Sequence, residues 1–113
     1  MAVDRCPIAH PLVEAAGVEA KSWNRASEVE VAASATSGER LVRTTSRRDG
    51  VVRTHGADHL VEEAAGRRWR VSAGGFWQVH PAAADTLTAA VMGGLAVRPG
   101  ERALDLYAGV GLF

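Results

Sequence analysis

The chain has 113 residues, of which 47% are hydrophobic, and its formal net charge is zero. This length fits one small domain or parts of two, and zero net charge excludes any argument for a nucleic-acid partner from overall charge alone. The single cysteine, Cys6, excludes an internal disulfide bond, and no run of about 18 apolar residues indicates a membrane span. We therefore expect a cytoplasmic protein with no membrane partner.

Charge is distributed unevenly along the chain. Residues 40–70 hold eight basic and four acidic side chains, whereas residues 1–39 hold three basic and six acidic ones. Only the middle of the sequence is therefore suited to attract phosphate. Two interpretations stay open, a solvated strand face and an RNA-facing patch. The eight basic residues are Arg40, Arg43, Arg47, Arg48, Arg53, Arg67, Arg68 and Arg70.

The first half of the chain reads as a short helix followed by strands. Residues 11–20 have helical apolar spacing with proline in the first turn, although Gly17 weakens the pattern. Alternating polar and apolar residues, separated by glycine-containing turns, predict strands over 28–32, 40–45 and 51–54. These three segments predict an antiparallel meander.

A second hairpin is predicted over residues 59–63 and 67–71. Alternation along its second strand places Trp69 on one face, and Arg68 and Arg70 on the other. Arginines on one side and apolar groups on the other are typical of a sheet with one solvated face.

The character of the sequence changes near residue 74. A helix is predicted over residues 81–95 and a short strand over 102–107, which runs into a glycine-rich loop. We expect an α/β fold, or an α+β fragment of one, with a β-rich central region over residues 1–73. Residues 74–113 are expected to form the first helix and strand of an incomplete Rossmann-like domain, so that the chain ends inside a fold.

The predicted last strand and its loop form an Asp-x-x-x-Gly-x-Gly pattern. Loops at strand ends bind ligands in open α/β sheets, and Gly109 and Gly111 allow a ligand to approach the backbone closely. Asp105 adds a carboxylate suited to a cationic amine or to N–H donors. A methyltransferase loop is favoured over two alternatives, a plain turn and a dinucleotide site, which needs a third glycine three residues after Gly111.

Together, Gly-Phe-Trp-Gln-Val-His-Pro over residues 75–81, the following helix and the Asp105 loop resemble the 5-methyluridine RNA methyltransferase family. That family has a Phe-x-Gln-x-Asn segment, a helix and an Asp-Leu-Tyr/Phe-Cys/Ala-Gly-x-Gly-x-Phe loop in this order. The resemblance is strongest over residues 74–113 and looser over 5–73. It implies a class I fold, S-adenosyl-L-methionine as cofactor, and C5 methylation of uracil in an RNA substrate, rRNA or tRNA.

The resemblance also implies roles for individual residues. Gln78 becomes a cofactor contact, Tyr107 a wall of the cofactor pocket, and the loop residues surround the methionine part. The alternatives are an amide that ties Gln78 to the next strand and a core position for Tyr107. The implied cofactor-binding residues, including the carboxylate inferred above, are Gln78, Asp105, Tyr107, Gly109, Gly111 and Leu112.

Two residues, His80 and Cys6, bear on the expected chemistry. His80 stands where the family commonly has Asn, and we interpret it as a helix cap. Cys6 resembles the isolated fourth cysteine of an iron–sulfur cluster in some members; its three partners would precede residue 1, so a cluster is expected only in a full-length parent.

Family members use a later cysteine to attack C6 of uracil. No catalytic or metal-binding residue is therefore assigned to this chain, and no methyl transfer by it alone is expected. The alternatives are a small non-catalytic RNA-binding module that uses residues 40–70, and the remnant of a broken gene.

Overall fold

The computed structural model describes residues 6–113, which form a three-stranded sheet, a two-stranded hairpin and short helices. This content confirms a mixed α/β domain. The elements are α1 (Pro11–Glu14), a 3₁₀ helix (Val18–Ala20), β1 (Ala26–Ala33), β2 (Arg40–Ser46), β3 (Val52–Gly56), β4 (His59–Ala64), β5 (Arg67–Ser72) and α2 (Ala83–Leu95).

Strands β1, β2 and β3 form the predicted antiparallel meander, in that order. Val42 at its centre lies opposite Val31 on one side and His55 on the other. Along β1, Val29 and Val31 are half-buried while Glu30 between them is exposed, as the alternation predicts. The pattern of the sequence therefore sets the register of this sheet.

The β4–β5 hairpin also forms as predicted. Its two-residue turn has Ala65 at φ 51° and Gly66 at φ 68°, the left-handed pair of a type I′ turn. Leu60 and Val71 face each other across the hairpin and are each 5% exposed. Trp69 is half-buried on the same face of β5 as Val71, whereas the intervening arginine side chains are exposed.

The buried core is small for a chain of this length. The chain has a radius of gyration of 17.2 Å, whereas a compact domain of this size has a radius of gyration of about 13 Å. Few apolar side chains are therefore shielded from water, and most of them are short. The buried apolar residues between positions 6 and 113 are Ala16, Leu41, Leu60, Ala64, Val71 and Ala84.

The single helix predicted over residues 11–20 is wrong, because the structure divides it. α1 ends at Glu14, and the 3₁₀ helix begins only after Gly17, which has φ +57°. A left-handed glycine is a common helix terminator, so the residue that weakened the prediction also interrupts the helix.

Helix α2 begins two residues later than predicted and ends at the predicted residue, Leu95. Its buried side chains are Ala84 and Thr88, one turn apart, while Leu87 is 40% exposed. The Asp85 carboxylate accepts a 2.7 Å hydrogen bond from the Ala65 N–H, which ties the helix to the hairpin turn. No helix among residues 6–113 has the length and apolar character needed to span a membrane.

The strand predicted over residues 102–107 is wrong, since the structure has no regular secondary structure there. Leu104, Leu106 and Tyr107 are 89%, 76% and 103% exposed. A strand needs a neighbour for its backbone groups and cover for its apolar side chains, and residues 6–113 supply neither for this segment. The Rossmann-like domain and the boundary at residue 73 accordingly stay predictions.

Candidate cofactor-binding loop

The glycine loop is a tight turn over residues 108–111. The Gly111 N–H donates to the Ala108 carbonyl at 2.8 Å, and the first central residue, Gly109, has φ +60°. A positive φ at that position is typical of a type II′ turn, in which glycine is strongly preferred. Within residues 6–113, an added Cβ on Gly109 would meet no atom closer than the Tyr107 carbonyl oxygen at 4.0 Å. The loop therefore leaves open space beside its backbone.

Asp105 and Tyr107 lie on the surface before this turn. Both side chains are exposed, and Tyr107 has φ +64°, a left-handed conformation that costs a non-glycine residue about 1 kcal/mol. Tyr107 is therefore not part of the core. The Asp105 carboxylate is open to a cationic or N–H partner, and within the described residues the phenol ring lies against no wall.

The end of the loop returns to the β4–β5 hairpin. A Cβ added to Gly111 would lie 4.0 Å from Cζ3 of Trp69, and Val110, Gly111 and Leu112 are half-buried. The indole N–H of Trp69 donates to the Ala64 carbonyl at 3.1 Å, which fixes the ring on the hairpin. Trp69 thus provides the surface against which the loop closes.

Gln78 lies in the irregular segment between β5 and α2 and is half-buried. No backbone or side-chain hydrogen bond between described residues joins it to the closing loop. The 13-residue helix α2 separates it from that loop along the chain. The predicted binding residues accordingly fall into two groups, Gln78 before the helix and residues 105–112 after it.

His80 acts at the entrance to α2, as the cap interpretation expects, although not as the N-cap residue itself. Its Nδ1 accepts a hydrogen bond from the Ala82 N–H at 3.2 Å, and its carbonyl accepts one from Ala83. His10 does the same before α1, where its Nδ1 accepts from the Leu12 N–H at 3.2 Å. Both histidines precede a proline, so each satisfies an N–H that the following helix leaves unpaired.

Cys6 is exposed, ahead of α1. No group of three or more His, Cys, Asp or Glu side chains within residues 6–113 is placed to hold a metal ion.

Sequence reasoning missed one residue of this region, Trp69, because β-strand alternation predicts which face a side chain takes but not which distant loop covers it. No local signal in the sequence identifies that contact.

Two curated proteins are similar to nearly the whole chain. Over 98% of its length, the chain is 41% identical to a protein of Streptomyces avermitilis and 43% identical to one of Streptomyces coelicolor. Both carry the name uncharacterized RNA methyltransferase. Each alignment has 133 positions against 113 residues in the chain, so the relatives have additional residues within the matched region.

The chain spans about three tenths of the relatives' length, 31% and 29% respectively. No protein-family model and no solved structure matched it. The chain is therefore similar to one segment of two bacterial proteins named RNA methyltransferases.

Proposed function

We propose that this chain is part of an S-adenosyl-L-methionine-dependent RNA methyltransferase that modifies C5 of uracil in rRNA or tRNA. One observation carries the proposal. The chain that matches a segment of two named RNA methyltransferases also places glycine in the left-handed turn at residues 108–111, immediately after Asp-Leu-Tyr. Neither the similarity nor the turn alone identifies the cofactor.

The chemistry of the loop residues fits this cofactor, which supplies an electrophilic methyl group when bound. The cofactor carries a cationic amine, and the exposed Asp105 carboxylate is an acceptor for it. The open space at Gly109 admits a ligand against the backbone. We assign Gln78 as a further contact and Tyr107 and Leu112 as neighbours of the ligand.

We predict no methyl transfer by these 113 residues alone, because they lack a suitably placed thiolate. Attack on C6 of uracil requires an activated thiolate with a base nearby. Cys6 is the single cysteine of the sequence, and it lies exposed ahead of α1, far along the chain from the loop. The chemical step is therefore assigned to residues outside this sequence.

A chimera tests the proposal. The aligned region of the Streptomyces avermitilis relative is replaced by this chain, and the product is incubated with S-adenosyl-L-methionine and RNA labelled with tritium at C5 of uracil. Methylation at C5 releases that tritium to water, whereas methylation at oxygen or nitrogen retains it. We expect tritium release from both the parent relative and the chimera.

The outcomes separate the parts of the proposal. Methyl transfer by both proteins without tritium release would contradict uracil C5 as the target and leave an RNA methyltransferase. Activity in the parent but none in a folded chimera would contradict the assignment of this chain to the family's chemistry.

Point variants of the chimera test the loop. Asp105→Asn removes a charge-assisted contact worth about 1.5–3 kcal/mol, so we expect methyl transfer to fall by about 10- to 100-fold. Glu101→Gln is the matched control, because it also turns a carboxylate into an amide, at an exposed position four residues earlier where the carboxylate accepts from the Arg98 N–H. Equal activity of the two variants would remove Asp105 from the binding site.

A further inference from the structure

A basic groove lies at one end of the three-stranded sheet, away from any residue of the cofactor loop. It consists of two adjoining cavities, about 330 Å³ and 570 Å³ in volume, that share four lining residues. One wall is the segment that leads into β1, and the other is the β2–β3 turn with the start of β3. The lining residues are Ser22, Trp23, Asn24, Arg25, Ala26, Thr44, Thr45, Ser46, Arg47, Arg48, Asp49 and Arg53.

Hydrogen bonds hold the two walls of the basic groove together. The Arg47 N–H donates to the Arg25 carbonyl at 2.7 Å, and the Arg47 guanidinium donates to the Ala26 carbonyl at 3.0 Å. The indole N–H of Trp23 donates to the Val18 carbonyl at 2.7 Å, which fixes its ring at one side. The groove is thus preformed by backbone contacts rather than by flexible side chains alone.

Four guanidinium groups line the basic groove, those of Arg25, Arg47, Arg48 and Arg53, and all four residues are exposed. None of them takes part in an ion pair between described residues. Asp49 is the single acidic residue among the described residues that line the groove. Hydrogen bonds from Ser46 and Val51, together with the charge of Arg53, lower the pKa of its carboxyl. Among the described lining residues, four guanidinium groups therefore face one carboxylate, so the groove presents a net positive charge.

The other arginines of the basic stretch are arranged differently. Arg43 forms a 2.7 Å ion pair with Glu30 across the sheet. Arg68 lies opposite Glu63 in the β4–β5 hairpin, where a cross-strand carboxylate offsets its charge. Three of the eight arginines of residues 40–70 therefore line the groove. Arg25, which lies outside that stretch of sequence, is the fourth.

We propose that the basic groove binds the sugar–phosphate backbone of a single RNA strand, with the Trp23 ring available to stack on a base. Arginine forks match phosphate oxygens, and hydroxyl and amide side chains such as those of Ser22 and Asn24 suit sugar hydroxyls. A ring fixed beside a positive groove is the arrangement by which proteins hold single-stranded nucleic acid. The choice of RNA among polyanions rests on the proposed function. The affinity of the groove for phosphate rests only on its arginines.

The test compares two double variants that remove the same charge from adjacent arginines. Arg47→Ala with Arg48→Ala alters the basic groove, and Arg67→Ala with Arg68→Ala alters the hairpin. Binding of the 113-residue chain to a fluorescein-labelled 12-nucleotide RNA strand is followed by anisotropy between 50 and 200 mM NaCl, without S-adenosyl-L-methionine. Thermal unfolding by circular dichroism confirms that each variant folds.

We expect the groove variant to bind more weakly and to depend less on salt. Each phosphate contact contributes about 0.7 to the slope for a single strand, so two lost contacts reduce the loss of affinity over that salt range by about seven-fold. The hairpin variant should keep the salt slope of the parent chain. Arg25→Gln with Arg53→Gln, which leaves the Arg47 hydrogen bonds intact, should repeat the effect of the groove variant.

Several results would overturn the inference. Equal weakening by the hairpin variant would place RNA elsewhere or across the whole basic stretch, while leaving the methyltransferase proposal intact. Preferential binding to phosphatidylserine vesicles or to polyglutamate would assign the groove to a membrane or to an acidic protein. Tighter binding to duplex RNA of the same length would contradict stacking on Trp23. Because the assay contains no cofactor, failure of the chimera to methylate does not decide it.

Discussion

Ser34 joins the three-stranded sheet to the β4–β5 hairpin, and replacing its side chain should destabilise the whole chain. The residue is fully buried, at 0% exposure, in the turn that follows β1. Its hydroxyl donates to the Val61 carbonyl of β4 at 2.6 Å and accepts from the N–H groups of Thr36 and Ser37 at 3.1 and 3.2 Å. Ser34→Ala therefore leaves one carbonyl and two N–H groups without their partner.

The size of the effect follows from where those groups lie. The Val61 carbonyl accepts its hydrogen bond from a fully buried hydroxyl, so leaving this acceptor without a donor costs about 1–3 kcal/mol. The two N–H groups belong to an exposed turn and regain water, so they add little. We expect a total of about 1–3 kcal/mol. A typical domain is stabilised by roughly 5–15 kcal/mol in total, and the small core of this chain places its stability near the lower end of that range. The loss of the Ser34 hydroxyl is therefore a large fraction of the total.

Urea denaturation followed by tryptophan fluorescence measures this loss as a shift of the transition midpoint at unchanged slope. Ser37→Ala is the matched control, because its hydroxyl is an exposed acceptor for the Glu39 N–H at 3.4 Å. That variant should lose less than about 0.5 kcal/mol. Agreement of the free energies of unfolding of the two variants within about 0.5 kcal/mol, which is on the order of the error of such measurements, would contradict this expectation. That result would show that the hydrogen bond to Val61 does not hold the sheet and the hairpin together.

Three further predictions concern backbone strain and charge. Ala65→Asn in the type I′ turn and Ala96→Gly after α2 relieve left-handed φ values of 51° and 46°, so each should raise the free energy of unfolding by about 1 kcal/mol in urea titrations. Burial raises the pKa of Glu62, and the Ser34 hydroxyl opposes that shift only in part. Its protonated form therefore favours folding below the ordinary value of 4.5, and that contribution is lost as pH rises through the folded-state pKa. Glu62→Gln should accordingly stabilise the chain at pH 7 and have no effect near pH 3.5, on the order of one unit below that value; an effect independent of pH would contradict the assignment. Asp49→Asn keeps the acceptor for the Val51 N–H while removing the carboxylate of the basic groove. It should tighten RNA binding by about three-fold in the anisotropy assay, and weaker binding would contradict the electrostatic account.

The strands could be predicted from the sequence because their information is local. In β1, Val29 and Val31 alternate with glutamates, and the Ala65–Gly66 turn separates two alternating segments by two residues. Period-two patterning and turn geometry act over a few residues, so they do not depend on the rest of the fold. The five predicted strands of the central region accordingly all form, each within two residues of its expected bounds at either end.

The basic groove could not be predicted in the same way. Charge counting found Arg47, Arg48 and Arg53 because they lie close together in a positive stretch, but it also included arginines that face carboxylates. Arg25 belongs to an acidic part of the sequence and reaches the groove through the hydrogen bond from the Arg47 N–H to its carbonyl. Pairing between segments more than 20 residues apart is a tertiary contact that composition does not carry.

Residues 102–111 depend partly on local patterning and partly on tertiary contacts. This explains why the predicted glycine loop forms whereas the predicted strand does not. The turn at Gly109 needs one hydrogen bond and one positive φ, so residues 108–111 form it by themselves. The strand predicted before it would need a hydrogen-bonded neighbour, which the residues of the turn cannot supply. Leu104 and Leu106 consequently lie exposed beside a loop that has already reached its glycine geometry. A ligand held by the turn alone would contact only one side of the protein. We therefore expect weak binding of S-adenosyl-L-methionine by these 113 residues and stronger binding once a neighbouring strand covers the two leucines.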